Sequence, residues 1–569
     1  MSRYLSIDLG TSSVKAAIVT STSEGWQVEA TAAEPLPQPS AQGSLLGSSQ
    51  QDAEMWWNAT KLVIGRLATP NDPIAITLSG QMQAVVLIAA DGLPLRPAML
   101  YSDTRATCEA EQLEACVGRD RLLKLATNWK GAASTMPKLR WLLANEPALV
   151  ERCDAICLSA HDFIFRRLTG RAATDPTNAS TTGLVRAGST DAYAEELLAE
   201  AGISSGLISK LPPICQGSAA TASLSASAAD ALDGAIAAGT RVCLGSGDLG
   251  TTTVGALGVH TGAATYCYLG TSGWVATVRD AADAPQCDAF QVSHPLGGRL
   301  ILAAPMTTAG GNVRWLCGLL FAGMDETAAL AAFEEEAATA SAGCNGLLFL
   351  PYLRGERCPV SDPHAKACFI GMGPETTRGC MCRAVLEGVC FAVRSLMPLL
   401  PADKARYLEH AAAEPTIKAA IKAGAEQHDN LGSGSFAFAE ATLEWMLREN
   451  LPPLHLVGGV ANSRVAAQTL ANVLNREVRV PQIGPSHVPA LGAAALAAAA
   501  MGEPPPHALD AVDSFSPDAE LVALYDGVYE QFATLHPALK GIFQAKVQLD
   551  GKAKGAASVG YRPLPKLDG

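Results

Sequence analysis

The chain has 569 residues, of which 48% are hydrophobic and 17% charged, and a formal net charge of −13 at neutral pH. Its length and apolar content are sufficient for two or three domains with substantial cores. The excess of acidic residues argues against nucleic acid or an anionic membrane surface as the main partner.

Cysteine usage and the N-terminal sequence predict a cytoplasmic protein. The fifteen cysteines are odd in number and lie mostly within apolar segments, which favours buried free thiols in a reducing compartment over disulfides. Met1 leads almost directly into a predicted strand, which leaves no room for a signal peptide. The alanine-rich run from Leu491 to Met501 is shorter than the roughly 20 residues that a membrane-spanning helix needs.

The phrase Leu-Gly-Thr-Ser occurs twice, at Leu9–Ser12 and at Leu269–Ser272. Each copy lies between two apolar segments, which predicts a strand, a tight turn and a second strand. Backbone N–H groups and hydroxyls in such a turn suit a phosphate oxygen. Two copies in one chain therefore indicate two similar halves that hold one polyphosphate between them.

The first copy is preceded by Asp8 and followed by Lys15. A carboxylate at the end of a strand can hold a magnesium ion directly or through waters, because magnesium prefers oxygen ligands. Thr11 and the N–H groups of the turn can bind phosphate oxygens. The alternative is an ordinary hairpin in which Asp8 accepts hydrogen bonds from its own turn.

Polar residues follow two predicted strands of the first half. Gly80-Gln81-Met82-Gln83 comes after the strand 74–79, and Tyr101-Ser102-Asp103-Thr104-Arg105 comes after another. Ligands bind preferentially at strand ends in α/β proteins. A plain surface loop is the alternative for each cluster.

Residues Gly245–Gly250 match the G-x-G-x-x-G motif of dinucleotide-binding folds. That motif should open a helix and precede an acidic residue by about 20 positions, but here Thr-Thr-Thr-Val-Gly follows and the next acidic residue is Asp280. We therefore predict a strand over 241–244 and a glycine-rich turn in which Asp248 is a general base for a substrate hydroxyl. No Walker A sequence occurs, which excludes a P-loop kinase.

Two glycine pairs stand beside predicted helices in the second half. Gly310-Gly311 begins one helix, and Gly458-Gly459 lies between a strand over 454–457 and a helix over about 463–474. Paired glycines let a flat ring or a ribose approach the backbone. Asn462 or Ser463 can cap the second of these helices, and capping alone is the alternative role of this segment.

Other segments alternate between strand and helix patterns, which predicts an α/β protein. We predict a strand over 85–88 and helices over 136–143 and 383–400. The polar stretch from Pro401 to Ser435 is predicted to be a surface insertion, and the residues from about Val547 a loosely ordered tail.

Taken in order, these motifs resemble those of the FGGY family of carbohydrate kinases over about residues 1 to 545. The resemblance covers the two phosphate motifs, the adenosine motif, the second connecting helix, the two family signatures (the second with Cys380 where a polar residue is usual) and a loop typical of the family. The corresponding segments are Asp8–Lys15, Leu269–Gly273, Leu456–Ser463, Pro489–Ala494, Met136–Leu142, Phe369–Gly388, Phe349–Leu353, Gly355–Arg357 and Asp362-Pro363.

The resemblance implies two actin-like (ribonuclease H-like) ATPase domains with a cleft between them for ATP, Mg²⁺ and a sugar. It places a sugar-binding domain at residues 1–257, a nucleotide-binding domain at 258–505, and a helical extension with a flexible tail at 506–569. Asp248 becomes the base and Asp8 the magnesium residue. The implied ATP-binding residues are Gly10, Thr11, Ser12, Lys15, Gly270, Thr271, Ser272, Gly310, Gly311, Gly458, Gly459 and Asn462. The implied sugar-binding residues are Met82, Gln83, Asp103, Arg105, Asp248 and Leu249.

Within the family the chain is most similar to the xylulokinases, which makes D-xylulose the expected substrate. Two positions depart from their pattern, because Gln83 replaces the usual His and Leu249 replaces a polar residue that is often Asn. D-ribulose, another ketose, a polyol or a sugar acid stays open as the substrate, and so does a non-catalytic, nucleotide-dependent actin-like binding protein. A homodimer is possible, and no nucleic-acid or membrane partner is expected.

Overall fold

The structure is a computed structural model that describes residues 2–22, 25–40, 47–67, 73–126, 128–129, 131–216, 220–258, 264–281, 289–400, 451–482, 484–503 and 512–555. Its elements fall into two groups along the chain, with the break between Leu257 and Thr265.

The first group contains ten strands and eleven helices within the described residues. The strands are β1 Ser2–Leu9, β2 Ser13–Thr22, β3 Gly25–Pro35, β4 Gln50–Gln51, β5 Ala75–Gly80, β6 Val86–Ile88, β7 Ala98–Met99, β8 Ala155–Cys157, β9 Thr221–Ser223 and β10 Arg241–Gly247. The helices are α1 Ala53–Leu67, α2 Thr107–Val117, α3 Arg119–Leu125, α4 Thr135–Asn145, α5 Pro147–Arg152, α6 Ala160–Thr169, α7 Pro176–Thr181, α8 Glu195–Glu200, α9 Ser205–Ile208, α10 Ala226–Ala231 and α11 Asp248–Leu257.

The second group contains the remaining elements of the described residues. The strands are β11 Thr265–Leu269, β12 Gly273–Asp280, β13 Phe290–Ser293, β14 Arg299–Met306, β15 Leu348–Leu350, β16 Cys368–Ile370, β17 Leu454–Val457, β18 Val478–Pro481 and β19 Val512–Phe515. The helices are α12 Gly310–Leu320, α13 Glu326–Thr339, α14 Arg378–Leu396, α15 Arg464–Leu474, α16 Val488–Ala500 and α17 Ala519–Gly555, with a 3₁₀ turn at Gly459–Asn462.

The two main sheets repeat one strand order. In the first sheet the order is β3-β2-β1-β5-β10-β9, with β1, β5 and β10 parallel and the flanking pairs antiparallel. In the second sheet the order is β13-β14-β12-β11-β17-β18-β19, with β11, β17 and β18 parallel. The first sheet begins with three antiparallel strands and the second with four, because β13 is added at its edge; both sheets continue with two parallel strands and end in an antiparallel one. This pattern confirms the predicted pair of similar α/β halves.

Both Leu-Gly-Thr-Ser phrases lie in antiparallel hairpins, as predicted. In the first hairpin β1 pairs with β2, and Leu9 is opposite Val14. In the second hairpin β11 pairs with β12, and Leu269 is opposite Gly273. Most residues of these four strands are buried, as expected of strands that are covered on both faces.

Each sheet is covered by helices that bury large side chains. Trp56 of α1 and Phe163 of α6 pack edge to face against the first sheet, with ring centroids 6.2 Å apart. Phe391 of α14 and Tyr525 of α17 pack against the second sheet, with centroids 5.9 Å apart. The C-terminal helix α17 is therefore part of the second core.

Several sequence predictions need correction here. The predicted glycine-rich turn around Asp248 is wrong, because β10 continues to Gly247 and the helix α11 begins at Asp248. Three consecutive threonines are poor helix formers, but their hydroxyls bond carbonyls of the preceding turn, and Thr252 donates to the Asp248 carbonyl at 2.6 Å. The helix α17 continues to Gly555, so the predicted loose tail is wrong for residues 547–555. The predicted insertion at 401–435 and residues 556–569 lie outside the described residues.

Two further properties concern the described residues as a whole. Each of their cysteines is a free thiol, as predicted. Among them, no helix combines the length and the apolar character needed to cross a membrane.

The helices α11 and α16 cross with their backbones almost in contact. A Cβ added to Gly492 would lie 1.8 Å from the Thr251 carbonyl oxygen, and one added to Gly255 would lie 2.1 Å from the Val488 carbonyl oxygen. Since α16 also packs on β1 and β5, this crossing joins a helix of the second half to the first sheet.

Gly492→Ala is therefore expected to destabilise the protein by about 3 kcal/mol, because backbone atoms cannot move aside as a side chain can. Gly527→Ala in α17 is the matched control, since a Cβ there meets nothing within 4 Å. The control is expected to be neutral or to stabilise by about 0.5–1 kcal/mol. The thermal unfolding midpoints of both variants test this, and equal midpoints would contradict the close crossing.

Candidate active site

Two carboxylates stand at neighbouring strand ends of the first sheet. Asp8 of β1 is in register with Ser79 of β5, and Ser246 of β10 is in register with the same serine. The Ser79 hydroxyl donates to Asp8 Oδ1 at 2.8 Å and is also 2.8 Å from the Thr251 hydroxyl. Asp248 follows directly after β10, so both carboxylates lie at the same edge of the sheet.

The three glycines of the motif around Asp248 allow close contacts with neighbouring chain segments. Gly245 has a positive φ of 69°, and a Cβ there would lie 1.7 Å from the Leu78 carbonyl oxygen, at the point where β10 shifts its register against β5. At Gly247 a Cβ would lie 2.2 Å from the Met82 sulfur, and at Gly250 it would lie 2.4 Å from the Ser246 hydroxyl. These contacts account for the three glycines without a dinucleotide. The antiparallel hairpins of the sheet are also unlike a parallel Rossmann sheet.

Asp248 is the first residue of α11 rather than a residue of an open turn. Its Oδ1 accepts a hydrogen bond from its neighbour Leu249 N–H at 2.9 Å. Burial first and then the nearby charge of Asp8 raise the pKa of its carboxyl to about 7, although the Leu249 N–H and His161 oppose the shift. A carboxylate with a pKa near the operating pH is well suited to take up a proton.

Behind these strand ends lies a buried polar network that the sequence prediction missed. His161 Nε2 is 2.8 Å from Asp175 Oδ2, and Asp175 Oδ1 accepts from the Ser246 hydroxyl at 2.7 Å. Burial lowers the pKa of His161, but the charges of Asp162 and Asp175 outweigh it and raise the pKa overall. Asp175 also caps α7 by accepting the N–H groups of Thr177 and Asn178. Because its oxygens are already engaged in this way, we interpret the cluster as a support for β10 and α7.

Asp103 and Arg105, two predicted sugar residues, form a buried ion pair with Arg105 Nη2 at 2.6 Å from Asp103 Oδ2. The same carboxylate oxygen accepts the Ser49 N–H at 2.8 Å. The Arg105 guanidinium lies over the Trp141 ring, 5.0 Å from its centroid. The pair therefore shapes this wall of the cleft while its charges neutralise each other.

Lys138 joins the two predicted sugar clusters. Its buried ammonium donates to the Leu100 carbonyl at 2.7 Å and lies 3.5 Å from the Gln83 carbonyl oxygen. Burial lowers the pKa of this amine to about 7, although the charge of Asp103 opposes the shift. The sequence located Lys138 in a family motif, but its contact with both turns follows only from the structure.

Gln83 and Leu249 face different surroundings. Gln83 has a φ of 60°, its N–H donates to Asn178 Oδ1 at 3.1 Å, and its side-chain amide donates to the Thr181 carbonyl at 2.5 Å. Leu249 is buried in an apolar cluster with Trp274 of the second half, and Met82 packs against the same cluster.

The first phosphate loop is closed by a hydrogen bond from Gly10 N to the Ser13 carbonyl at 3.0 Å. The Thr11 hydroxyl lies 3.4 Å from Gln81 Oε1. Lys15 is exposed opposite Asp8 in the hairpin register, and both line a cavity of about 260 Å³ that also borders His487. Ser12 is half-buried, and its carbonyl accepts the Leu36 N–H at 2.8 Å.

The second Gly-Thr-Ser loop lies against both glycine pairs. Gly310 N and Gly311 N donate to the carbonyls of Gly270 and Thr271 at 2.8 and 3.1 Å. A Cβ on Gly458 would lie 2.6 Å from the Leu269 carbonyl oxygen, whereas one on Gly459 would meet nothing within 4 Å. Ser272 occupies the turn between β11 and β12. Asn462 donates to the Gly459 carbonyl at 3.0 Å, and Ser463, not Asn462, caps α15.

Tyr268 brings the two halves of the site together. Burial and, after it, the charges of Asp8 and Asp248 raise the pKa of its phenol, so this ring of the second half is within electrostatic reach of both carboxylates of the first. Its ring is stacked on Trp274 with centroids 4.1 Å apart, and a Cβ on Gly270 would lie 2.3 Å from its hydroxyl. The two carboxylates and the second phosphate loop therefore border one cleft.

Family models match both halves of the chain. The sequence model of the N-terminal domain of the FGGY family of carbohydrate kinases matches residues 3–255, and that of the C-terminal domain matches residues 265–501. The chain is 31% identical to the xylulose kinase of Escherichia coli K12 over 407 residues, which cover 70% of the chain and 79% of that protein. It is 28% identical to the xylulose kinase of Staphylococcus xylosus over 70% of the chain and 80% of that protein.

Among solved structures, the chain is similar to a xylulose kinase from Rhodospirillum rubrum. The TM-score is 0.67 at 26% sequence identity, with 95% of this chain and 100% of the other covered. This likeness confirms the predicted fold of two actin-like, ribonuclease H-like domains.

Proposed function

The chain belongs to the FGGY family of carbohydrate kinases, and from that premise we propose that it transfers the γ-phosphoryl group of ATP to a hydroxyl of a ketopentose, with D-xylulose as the first candidate. The observation that carries this proposal is the position of Asp248, which follows β10 at the same sheet end as Asp8 and has a carboxyl pKa of about 7. The curated xylulose kinases named above support the choice of sugar.

In the proposed reaction, the sugar hydroxyl lies against Asp248 and gives its proton to that carboxylate as its oxygen attacks the γ-phosphorus. A new O–P bond forms, the bond from the γ-phosphorus to the bridging oxygen breaks, and ADP leaves. Phosphoryl transfer needs positioning and charge stabilisation more than covalent chemistry. The N–H groups around Thr11 and Thr271 would supply part of that stabilisation.

Asp8 is suited to hold a magnesium ion. One of its oxygens accepts the Ser79 hydroxyl, and the other has no hydrogen-bond donor among the described residues. A carboxylate oxygen at the mouth of a phosphate loop is the kind of ligand that Mg²⁺ prefers. When bound, the ion would neutralise charge on the phosphate oxygens.

A second candidate function keeps the kinase and changes the sugar. The side-chain amide of Gln83 donates to the Thr181 carbonyl, and Leu249 lies in an apolar cluster. Neither residue therefore offers a sugar the contacts of the His and Asn that are usual in xylulokinases. D-ribulose is therefore the second candidate. Phosphorylation of D-xylulose, D-ribulose, other ketoses, polyols and aldonates with ATP tests the assignment. A non-catalytic nucleotide-binding protein would turn over no more ATP with any of these sugars than without them.

Asp248→Asn is expected to lower turnover by roughly 10² to 10⁴, the usual effect of removing a positioned acid–base group. ATP binding should be nearly unchanged, because the phosphate loops are intact. In the wild type, kcat/KM should rise with pH through about 7, because the base must be deprotonated to accept the proton. Asp230→Asn, an exposed carboxylate on α10, is the control. More than about a tenth of wild-type turnover in Asp248→Asn would remove that residue from the role of base.

Asp8→Ala is expected to abolish most of the activity and to shift the magnesium dependence, so that raised magnesium restores turnover only in part. Thr271→Ala should be milder, because backbone N–H groups do most of the phosphate binding at the second loop. Magnesium titrations of turnover for the two variants check this. An Asp8→Ala variant with the wild-type magnesium response would refute the proposed role of Asp8.

The double variant Gln83→His, Leu249→Asn is expected to raise kcat/KM for D-xylulose relative to other ketoses. His can adopt the left-handed backbone of residue 83, and Asn can bond a sugar hydroxyl that Leu cannot. Wild type should use pentuloses with weak apparent affinity. If wild type instead ignores every pentulose and phosphorylates a polyol, hexulose or sugar acid, the xylulose assignment is wrong and the kinase assignment stands.

A further inference from the structure

The loop between β15 and β16, residues 351–367, carries two arginines from the second half across to the first. Arg354 Nη2 lies 3.4 Å from Gln38 Oε1. The Arg357 guanidinium lies over the ring of Tyr101, 4.8 Å from its centroid. Tyr101 belongs to the polar cluster that holds Asp103, so Arg357 reaches the wall of the sugar cluster.

Arg357 differs from the other arginines around this cluster because its guanidinium has no acidic partner among the described residues. Arg105 is paired with Asp103, and Arg96 is paired with Glu146 at 2.7 Å. Arg357 is half-buried, and the face of the Tyr101 ring stabilises part of its positive charge. An unpaired, half-buried guanidinium offers a fork of N–H donors to a ligand.

The charge of Arg357 acts on two other groups of the cleft. It is one of the groups that lower the pKa of Lys138, after burial, and it opposes the raised pKa of Asp248. Arg357 is therefore within electrostatic reach of the Lys138 ammonium and of the proposed base, Asp248.

The loop holds this side chain in a fixed place. The buried Glu356 carboxylate accepts the N–H groups of Thr307 and Arg357 at 2.6 and 2.7 Å. Asp362 Oδ2 lies 3.0 Å from His536 Nε2 of α17, which braces the far side of the loop. Both anchors are side-chain contacts with the second core, so the approach of Arg357 to Tyr101 is part of the folded structure.

We propose that Arg357 is a sugar-binding residue supplied by the second half, and that it donates hydrogen bonds to carbonyl or hydroxyl oxygens of the substrate on the Tyr101 side of the cleft. This inference rests on the proposed function. Its consequence is that the sugar is held by both halves, with Asp248 at the reacting hydroxyl and Arg357 at other oxygens. The substrate class is a polyhydroxylated carbonyl compound, whose oxygens match guanidinium donors.

The test compares Arg357→Met with Arg354→Met, which removes the same group from the exposed arginine of the same loop. The sugar used is whichever of D-xylulose, D-ribulose and D-gluconate the wild type phosphorylates best. Loss of a charged hydrogen bond should raise the KM for the sugar about 10- to 100-fold in Arg357→Met. The KM for ATP and the thermal midpoint should stay near wild-type values, and Arg354→Met should match the wild type throughout.

Arg357→Lys is a second variant that keeps the charge but loses the fork, so its KM for the sugar should be intermediate. It also keeps the test decisive if Arg357→Met does not fold. An unchanged KM for the sugar in the folded variants, or equal rises in the KM for sugar and for ATP, would overturn the proposal. Failure of the proposed function would appear separately, as no sugar-dependent ATP turnover in the wild type or as full activity in Asp248→Asn.

Discussion

The burial of Asp248 beside a second carboxylate, Asp8, is the constraint on which the proposed chemistry of this cleft depends. The two carboxylates end parallel strands that are separated only by β5, and the charge of Asp8 helps to raise the pKa of Asp248 to about 7. Ser79, on the strand between them, donates its hydroxyl hydrogen bond to Asp8 rather than to Asp248. The two carboxylates thus stand in different surroundings, which is how two groups of the same kind can take the different roles proposed for them.

The repeated fold explains why the site lies where it does. In each half the parallel strands and the first hairpin end at the same edge of a sheet, so each half places a Gly-Thr-Ser loop at its edge. The halves are joined by the crossing of α11 and α16, whose glycines allow backbone contact. Because α11 begins with Asp248, the helix that carries the proposed base also forms the junction between the halves. Movement of the halves about this crossing would therefore leave Asp248 in register with β10.

Much of this arrangement could be predicted from the sequence, because local patterns specify it. The two hairpins and the strand 454–457 follow from short apolar runs beside glycine-rich turns. The helix at Asp248 was missed because threonine and glycine argue against a helix locally, and tertiary packing against α16 outweighs that preference. Lys138, Tyr268 and Arg357 could not be placed, since their partners are distant in the chain and no spacing rule joins them. The family resemblance located motifs but did not reveal these contacts.

The polar groups of the sugar cluster largely bind one another, and this limits where substrate specificity can arise. The oxygens of Asp103 are used by Arg105 and by the Ser49 N–H, and the amide of Gln83 is used by the Thr181 carbonyl. A sugar can replace such a contact only at the cost of breaking it, and an exchange of this kind adds little net affinity. The second oxygen of Asp248 and the guanidinium of Arg357 have no such partner among the described residues, and they come from different halves. If Asp248 and Arg357 bind the sugar as proposed, recognition of the sugar and closure of the cleft would be one event, because these polar contacts form only when both halves are in place around it.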